Sequence, residues 1–111
     1  MAWVEGARNR ELAWVATDSL EVGLDVARFG TDSTAIHVRR GPCSLLHRSW
    51  SHEDSASTAG RTYRLVRELM AEYQVPTVII RVDTTGGTGA GPADILRELV
   101  SGLDNVQVED I

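Results

Sequence analysis

Two aspartates carry the chemistry that this sequence offers. Asp25 sits in residues 21–32, EVGLDVARFGTD, where an alternating apolar run meets a Gly turn that holds a further carboxylate, Asp32. Asp83 ends an aliphatic run in residues 79–91, IIRVDTTGGTGAG, just ahead of a glycine cluster. If the two runs are neighbouring strands, the carboxylates meet and share a divalent cation. Hard cations such as Mg2+ prefer carboxylate oxygens, and two carboxylates side by side repel each other unless a cation lies between them. Each feature also has a plainer explanation. A lone strand aspartate is often a bulge or edge residue, and a glycine cluster is often only a flexible turn. Two strand-ending acids in one small chain weigh toward the metal. Cys43, His47 and His52 offer other donor types, but His47 falls in mid-strand and His52 in a polar loop, so both read as surface histidines and Cys43 as a strand residue. A single cysteine also excludes an internal disulfide.

The elements that must position these acids follow from periodicity. In residues 21–27, Val22, Leu24 and Val26 alternate with Gly23, Asp25 and Ala27, as the two-residue period of a strand requires. Asp25 then lies on a face of small residues, where a buried carboxylate without a compensating charge costs several kcal/mol by order of magnitude. A tight connection at 28–33 leads into residues 34–40, with Ile36 and Val38 set against His37 and Arg39. Gly41 and Pro42 signal another turn, and residues 44–50 return as the third strand of an antiparallel meander.

Asp54, Ser55 or Ser57 can cap the helix that follows, where Tyr63, Val66, Met70 and Tyr73 recur three and four apart beside Leu65 and Leu69. Arg61, Arg64, Arg67, Glu68 and Glu72 form its wet side, and it ends near Gln74, before Pro76. Residues 77–82, TVIIRV, are aliphatic at nearly every position, the mark of a strand buried on both faces in mid-sheet. Pro92 suits a first helical turn, Asp94 reads as a first-turn carboxylate favoured by the helix dipole, and Ile95, Leu96 and Leu99 continue at helical spacing to Gly102. Residues 105–111 begin a last alternating run, and residues 4–11 read as a short helix upstream. The order is β-β-β-α-β-α-β, an α/β domain without internal repeats.

At 111 residues the chain makes one domain. Its 42% apolar and 24% charged residues are those of a globular protein; no run is long enough to span a bilayer and none reads as a signal peptide, which points to a cytoplasm. The net charge is −5; residues 1–50 hold six basic and six acidic residues, whereas residues 81–111 hold two arginines against six carboxylates. A module that binds nucleic acid mainly by neutralising phosphate shows the opposite bias. Lys is absent, so no GxxxxGK[ST] nucleotide loop exists.

A strand carrying Asp25, two antiparallel strands, a crossover helix and a parallel strand ending on Asp83 resembles the ribonuclease H-like fold. That likeness implies a mixed sheet whose fourth strand lies parallel beside the first, with carboxylates of both strands around two metal ions that activate a water and stabilise the leaving oxygen. The segment GLDVARFGTDSTAIHVRRG is similar to the opening strand and hairpin of the nuclease domain in phage terminase large subunits, which package DNA into capsids and cut it. VDTTGGTGAGPADIL is similar to that family's fourth-strand acid and glycine loop, and WVEGARNRE to the segment joining its ATPase and nuclease domains.

The resemblance implies a metal-dependent endonuclease acting on double-stranded DNA with Mg2+ or Mn2+. Asp25 and Asp83 would be its ligands and Asp32 a lesser contributor, while Gly86, Gly87, Gly89 and Arg28 would lie near the DNA backbone. It implies a small terminase subunit and a portal as partners of the full-length family, in the cytoplasm of a bacterial host. Residues 1–20 would be a helix or linker from a missing ATPase domain, and 21–111 a nuclease domain cut short at its C-terminal side, because the family's third acid lies on a later element. Glu109 and Asp110 fall where the fifth strand belongs and are not assigned that role, and the glycine loop runs one residue longer than the family pattern. Two other readings stay open. One is a nucleotide-binding module of the actin and sugar-kinase type, although Ala27, Arg28 and Phe29 are bulky where that class holds phosphate. The other is an inactive prophage remnant. The glycine cluster, just ahead of a helix, could also cradle an anion.

Overall fold

In the computed structural model, which describes residues 18–27, 33–51, 54–84, 88 and 90–111, each alternating run becomes a strand. The meander consists of β1 (Leu20–Asp25), β2 (Ser33–Arg40) and β3 (Cys43–Ser51). Helix α1 (Ser55–Tyr73), β4 (Val78–Asp83), α2 (Ala90–Leu99) and β5 (Val106–Asp110) follow. The expected element order over residues 21–111 is therefore present; the helix expected at 4–11 lies outside the described residues.

The five strands form one sheet in the order β3-β2-β1-β4-β5. β1 pairs antiparallel with β2, and β2 with β3. β4 lies parallel to β1, from Leu20 opposite Val78 to Asp25 opposite Asp83, and β5 lies parallel to β4. The fourth strand thus lies beside the first, as the ribonuclease H-like reading expects.

One face of this sheet makes the core. Leu20, Val22 and Leu24 of β1, Ile36 and Val38 of β2, and Val78, Ile80 and Val82 of β4 are buried against Ala59, Leu65, Val66 and Leu69 of α1 and Ala93 and Leu96 of α2. Burying a large aliphatic side chain contributes about 1.5–3 kcal/mol, so this single layer of contacts dominates the folding energy. On the opposite face, Ile79, Arg81 and Asp83 of β4 are only half-buried. That corrects the expectation of a strand buried on both sides. β4 is flanked by strands on both edges, but among the described residues the helices α1 and α2 pack against one face.

Asp54 caps α1 by accepting a hydrogen bond of 2.7 Å from the Ser57 amide, which selects it from the three candidate caps. The helix stops at Gln74, whose left-handed backbone (φ 52°) lets its N–H reach the Met70 carbonyl. Gly41, with φ 55°, turns β2 into β3, and a Cβ there would run into the Asp18 carboxylate. Pro92 stands in the first turn of α2, where its missing N–H leaves no bond unmade.

Candidate metal centre

Asp25 is the last residue of β1 and Asp83 the last of β4, and the parallel register places them directly opposite one another. Neighbouring strands lie about 4.8 Å apart, and residues paired in register share a face. Leu24 and Val82 point into the core, so the two carboxylates stand side by side on the other, open face. Asp25 is exposed and Asp83 half-buried. The expected desolvation cost at Asp25 is therefore absent, because water reaches the face that was read as closed. Ala27, expected to share that face, has left the strand and is buried.

The ends of both strands are tied down. The Ala27 amide donates a buried hydrogen bond of 2.9 Å to the Thr34 hydroxyl, which ties the chain just past Asp25 to β2. Thr88 Oγ1 donates to the Val26 carbonyl at 3.3 Å and so links the chain beyond β4 to the chain beyond β1. Thr34→Val keeps the side-chain shape and removes the acceptor, leaving a buried N–H unpaired. It is expected to lower stability by about 1–3 kcal/mol, read from the midpoint of urea unfolding.

A hollow of about 340 Å³ opens over the pair, lined by Gly23, Asp25, His37, His47, Arg81 and Asp83 among others. His37 and His47 meet edge to face at 5.7 Å, and His37 Nε2 shares a hydrogen bond of 3.0 Å with Ser44 Oγ. His47 is exposed, as expected, yet both imidazoles border the carboxylates. The opposition of His37 and Arg39 to Ile36 and Val38 already carried that signal, since it assigns His37 to the face opposite the core.

Arg81 was missed by sequence reading and organises the charge around the hollow. Its Nη1 donates to Glu21 Oε1 at 2.7 Å and its Nε to Glu109 Oε1 at 3.3 Å, while Arg39 Nη2 stands 3.6 Å from the same Glu21 oxygen. A row of alternating charge thus crosses β2, β1, β4 and β5. Glu21 and Glu109 lie 60 and 28 residues from Arg81 in sequence, so only the fold reveals the row. The hydrogen bond from Arg81 holds the Glu21 carboxyl below its ordinary value, against an opposing push from burial. Glu21 consequently adds stability at and above the ordinary glutamate value of 4.5, and that contribution is lost as the pH falls below it through the lowered folded-state value. Glu21→Gln is expected to flatten the decline in melting temperature as the pH falls below 4.5; an acid limb identical to wild type would remove this assignment.

Other candidates fall elsewhere. Asp32, Arg28, Gly86, Gly87, Gly89 and His52 lie outside the described residues. Asp94 belongs to the second turn of α2, not the first, because the helix begins at Ala90; it accepts from Arg97 Nη1 at 3.3 Å. Asp110 pairs with Arg97 at 2.6 Å and Glu109 with Arg81, so both are held in ion pairs on β5. Cys43 begins β3 and is half-buried.

Among the described residues no group of three or more His, Cys, Asp or Glu side chains is close enough to hold a metal ion. The donor set that is present, two adjacent carboxylates on the open face of the sheet, fits a hard ion such as Mg2+ or Mn2+, which is held by one or two carboxylates and completes its shell with water and phosphate oxygens. No helix among the described residues is long and apolar enough to cross a membrane.

Neither a protein-family model nor a curated protein sequence matches the chain. Solved structures share its fold. One is a mutant nuclease domain of the large terminase subunit gp2 of bacterial virus Sf6, with manganese and beta-thujaplicinol. It matches with a TM-score of 0.65 at 19% identity, over 93% of this chain and 41% of that one. A mutant gp2c of the large terminase subunit from bacteriophage Sf6, with calcium, gives 0.64 at 18% identity over 93% and 42%. The unmutated Sf6 nuclease domain gives 0.63 at 18% identity. The chain spans about two fifths of the length of these domains, with 41% of the first covered. It is built on the fold that the nuclease domain of a phage large terminase subunit has, a ribonuclease H-like mixed sheet.

Proposed function

We propose that the chain is the core of a terminase-type endonuclease that hydrolyses phosphodiester bonds of double-stranded DNA, with Mg2+ or Mn2+ held by Asp25 and Asp83. The observation that carries this is the register: two carboxylates at the ends of neighbouring parallel strands, on the open face of the sheet. Support comes from nuclease domains of the same fold solved with manganese and with calcium. Asp25 and Asp83 would hold a divalent ion there, which would supply Lewis acidity to activate a water and stabilise charge on the leaving oxygen. The chain's own residues fix the geometry. Asp25 and Asp83 present oxygen donors from strands that cannot slip without losing the core register. Gly23, lacking a side chain, keeps the floor of the hollow low for an approaching backbone.

In this reading Asp32 contributes a further ligand, two ions complete the centre, and Arg28, Gly86, Gly87 and Gly89 contact the DNA backbone. Residues 1–20 lead in from an ATPase domain, residues 21–111 belong to the nuclease domain, and the whole protein works with a small terminase subunit and portal in the cytoplasm of a bacterial host. Supercoiled plasmid incubated with the chain and Mn2+ or Mg2+ should be nicked and linearised, EDTA should stop the reaction, and Asp25→Asn and Asp83→Asn should each abolish it. Metal-dependent cleavage that persists in both variants would remove this function.

A further inference from the structure

The wet side of α1 gathers arginines that the carboxylate centre does not use. Arg61, Arg64 and Arg67 follow one another three residues apart along the helix, and Arg48 of the edge strand β3 lines a cleft with Arg61 and Arg64. Arg48 and Trp50 pair with Ile36 and Thr34, whose side chains are buried in the core, so both belong to the helix-bearing face of the sheet. Between β3 and α1 lies a cleft of about 380 Å³, lined by Arg48, Trp50, Arg61, Arg64 and Glu68 among others. Among the described residues that line it, three guanidinium groups meet one carboxylate, in a chain whose net charge is −5.

The arginines are also held in place. Arg61 lies over the Trp50 ring at 4.9 Å, and Arg67 lies over the Tyr63 ring at 5.9 Å while its Nη1 donates to the Tyr63 hydroxyl at 3.2 Å. Stacking on an aromatic face orients a guanidinium. The Trp50 indole nitrogen is closed off by packing, so the ring serves as a platform and not as a donor.

We propose that this Arg48–Trp50–Arg61–Arg64 cleft binds the phosphate backbone of duplex DNA, as a contact separate from the carboxylate pair on the opposite face. The planar guanidinium fork matches phosphate oxygens in pairs, and a duplex offers about one negative charge per 1.7 Å of its axis. Arg61 already occupies one face of the Trp50 ring, which disfavours stacking of unpaired bases there and favours backbone contact. The substrate is that of the proposed function; the residues are not.

The test is fluorescence anisotropy of a labelled 30-base-pair duplex with the full chain in EDTA, over a range of salt. Arg48→Glu combined with Arg64→Glu is expected to weaken binding at least tenfold and to make the slope of log affinity against log salt shallower by about two. Arg64→Gln alone changes one exposed side chain, so it guards against misfolding of the double variant, and should shift the slope by about one. Unchanged affinity and slope in both arginine variants would overturn the proposal, as would displacement of the duplex by poly-glutamate at equal charge concentration, which would reassign the cleft to an acidic polypeptide. Arginine-dependent binding without any metal-dependent cleavage would remove the nuclease function and leave this site standing.

Discussion

Replacing Asp25 with Asn is expected to reduce Mn2+-dependent DNA cleavage by about 100- to 10,000-fold, since metal stabilisation of the transition state is worth several kcal/mol and each 1.36 kcal/mol is tenfold in rate. The same change should not damage the fold. Asp25 is exposed at a strand end, directly opposite Asp83, and like charges paired across strands are destabilising by about 0.2–1 kcal/mol. Removing one of them leaves the metal-free chain as stable as before or slightly more so. The two effects separate a ligand from a structural residue. In wild type the melting temperature should rise with Mn2+ concentration, by the equivalent of about 2.7 kcal/mol at one hundred times the dissociation constant. In Asp25→Asn that rise should vanish. An identical Mn2+-dependent shift in the variant would show that the ion binds elsewhere.

Arg40→Ala should be the most damaging single change at an arginine. Arg40 ends β2 and is only 3% exposed, an unusual burial for a guanidinium. Its Nε donates to the Asp18 carbonyl at 3.2 Å and its Nη1 to the Tyr73 carbonyl at 3.3 Å. Asp18 precedes β1 and Tyr73 is the last residue of α1, so one side chain ties a strand entry to a helix exit. The positive charge also meets the negative end of the helix dipole, where cations are favourable. Hydrogen bonds to a charged group contribute about 1.5–3 kcal/mol each, and truncation would leave carbonyls unsatisfied. A loss of about 3 kcal/mol is expected in urea unfolding, a large share of the roughly 5–15 kcal/mol of a typical domain. Arg40→Lys should recover little of it, because one ammonium cannot place two donors in the fixed fork. A loss below about 1 kcal/mol for Arg40→Ala would mean that water takes over both carbonyls, against the burial described above.

The element order and the position of the acids were legible in the residues themselves, because strand and helix periods are local properties. Alternation assigned Val22, Leu24 and Val26 to one side and Asp25 to the other, and the aliphatic run before Asp83 marked a strand ending in a carboxylate. Turns were legible for the same reason, as at Gly41 and Pro92, while the cap of α1 was narrowed to three residues from which the structure selects Asp54. The local signal failed where a boundary moved by a few residues: α2 begins at Ala90, which shifts Asp94 out of the first turn. It failed also where burial depended on what lies above a strand, as with Ile79 and Arg81 on the open side of β4.

What the sequence by itself determined is therefore the order of elements and two strand-ending aspartates. Only the tertiary structure decided that Asp25 and Asp83 stand in register, that Arg81 is shared between Glu21 and Glu109, that Arg40 is buried, and that Arg48 faces Arg61 and Arg64 across a cleft. Each of those is a contact between residues far apart in the chain. Periodicity sets which side of an element a residue occupies, but pairing register and helix placement set which other element it meets.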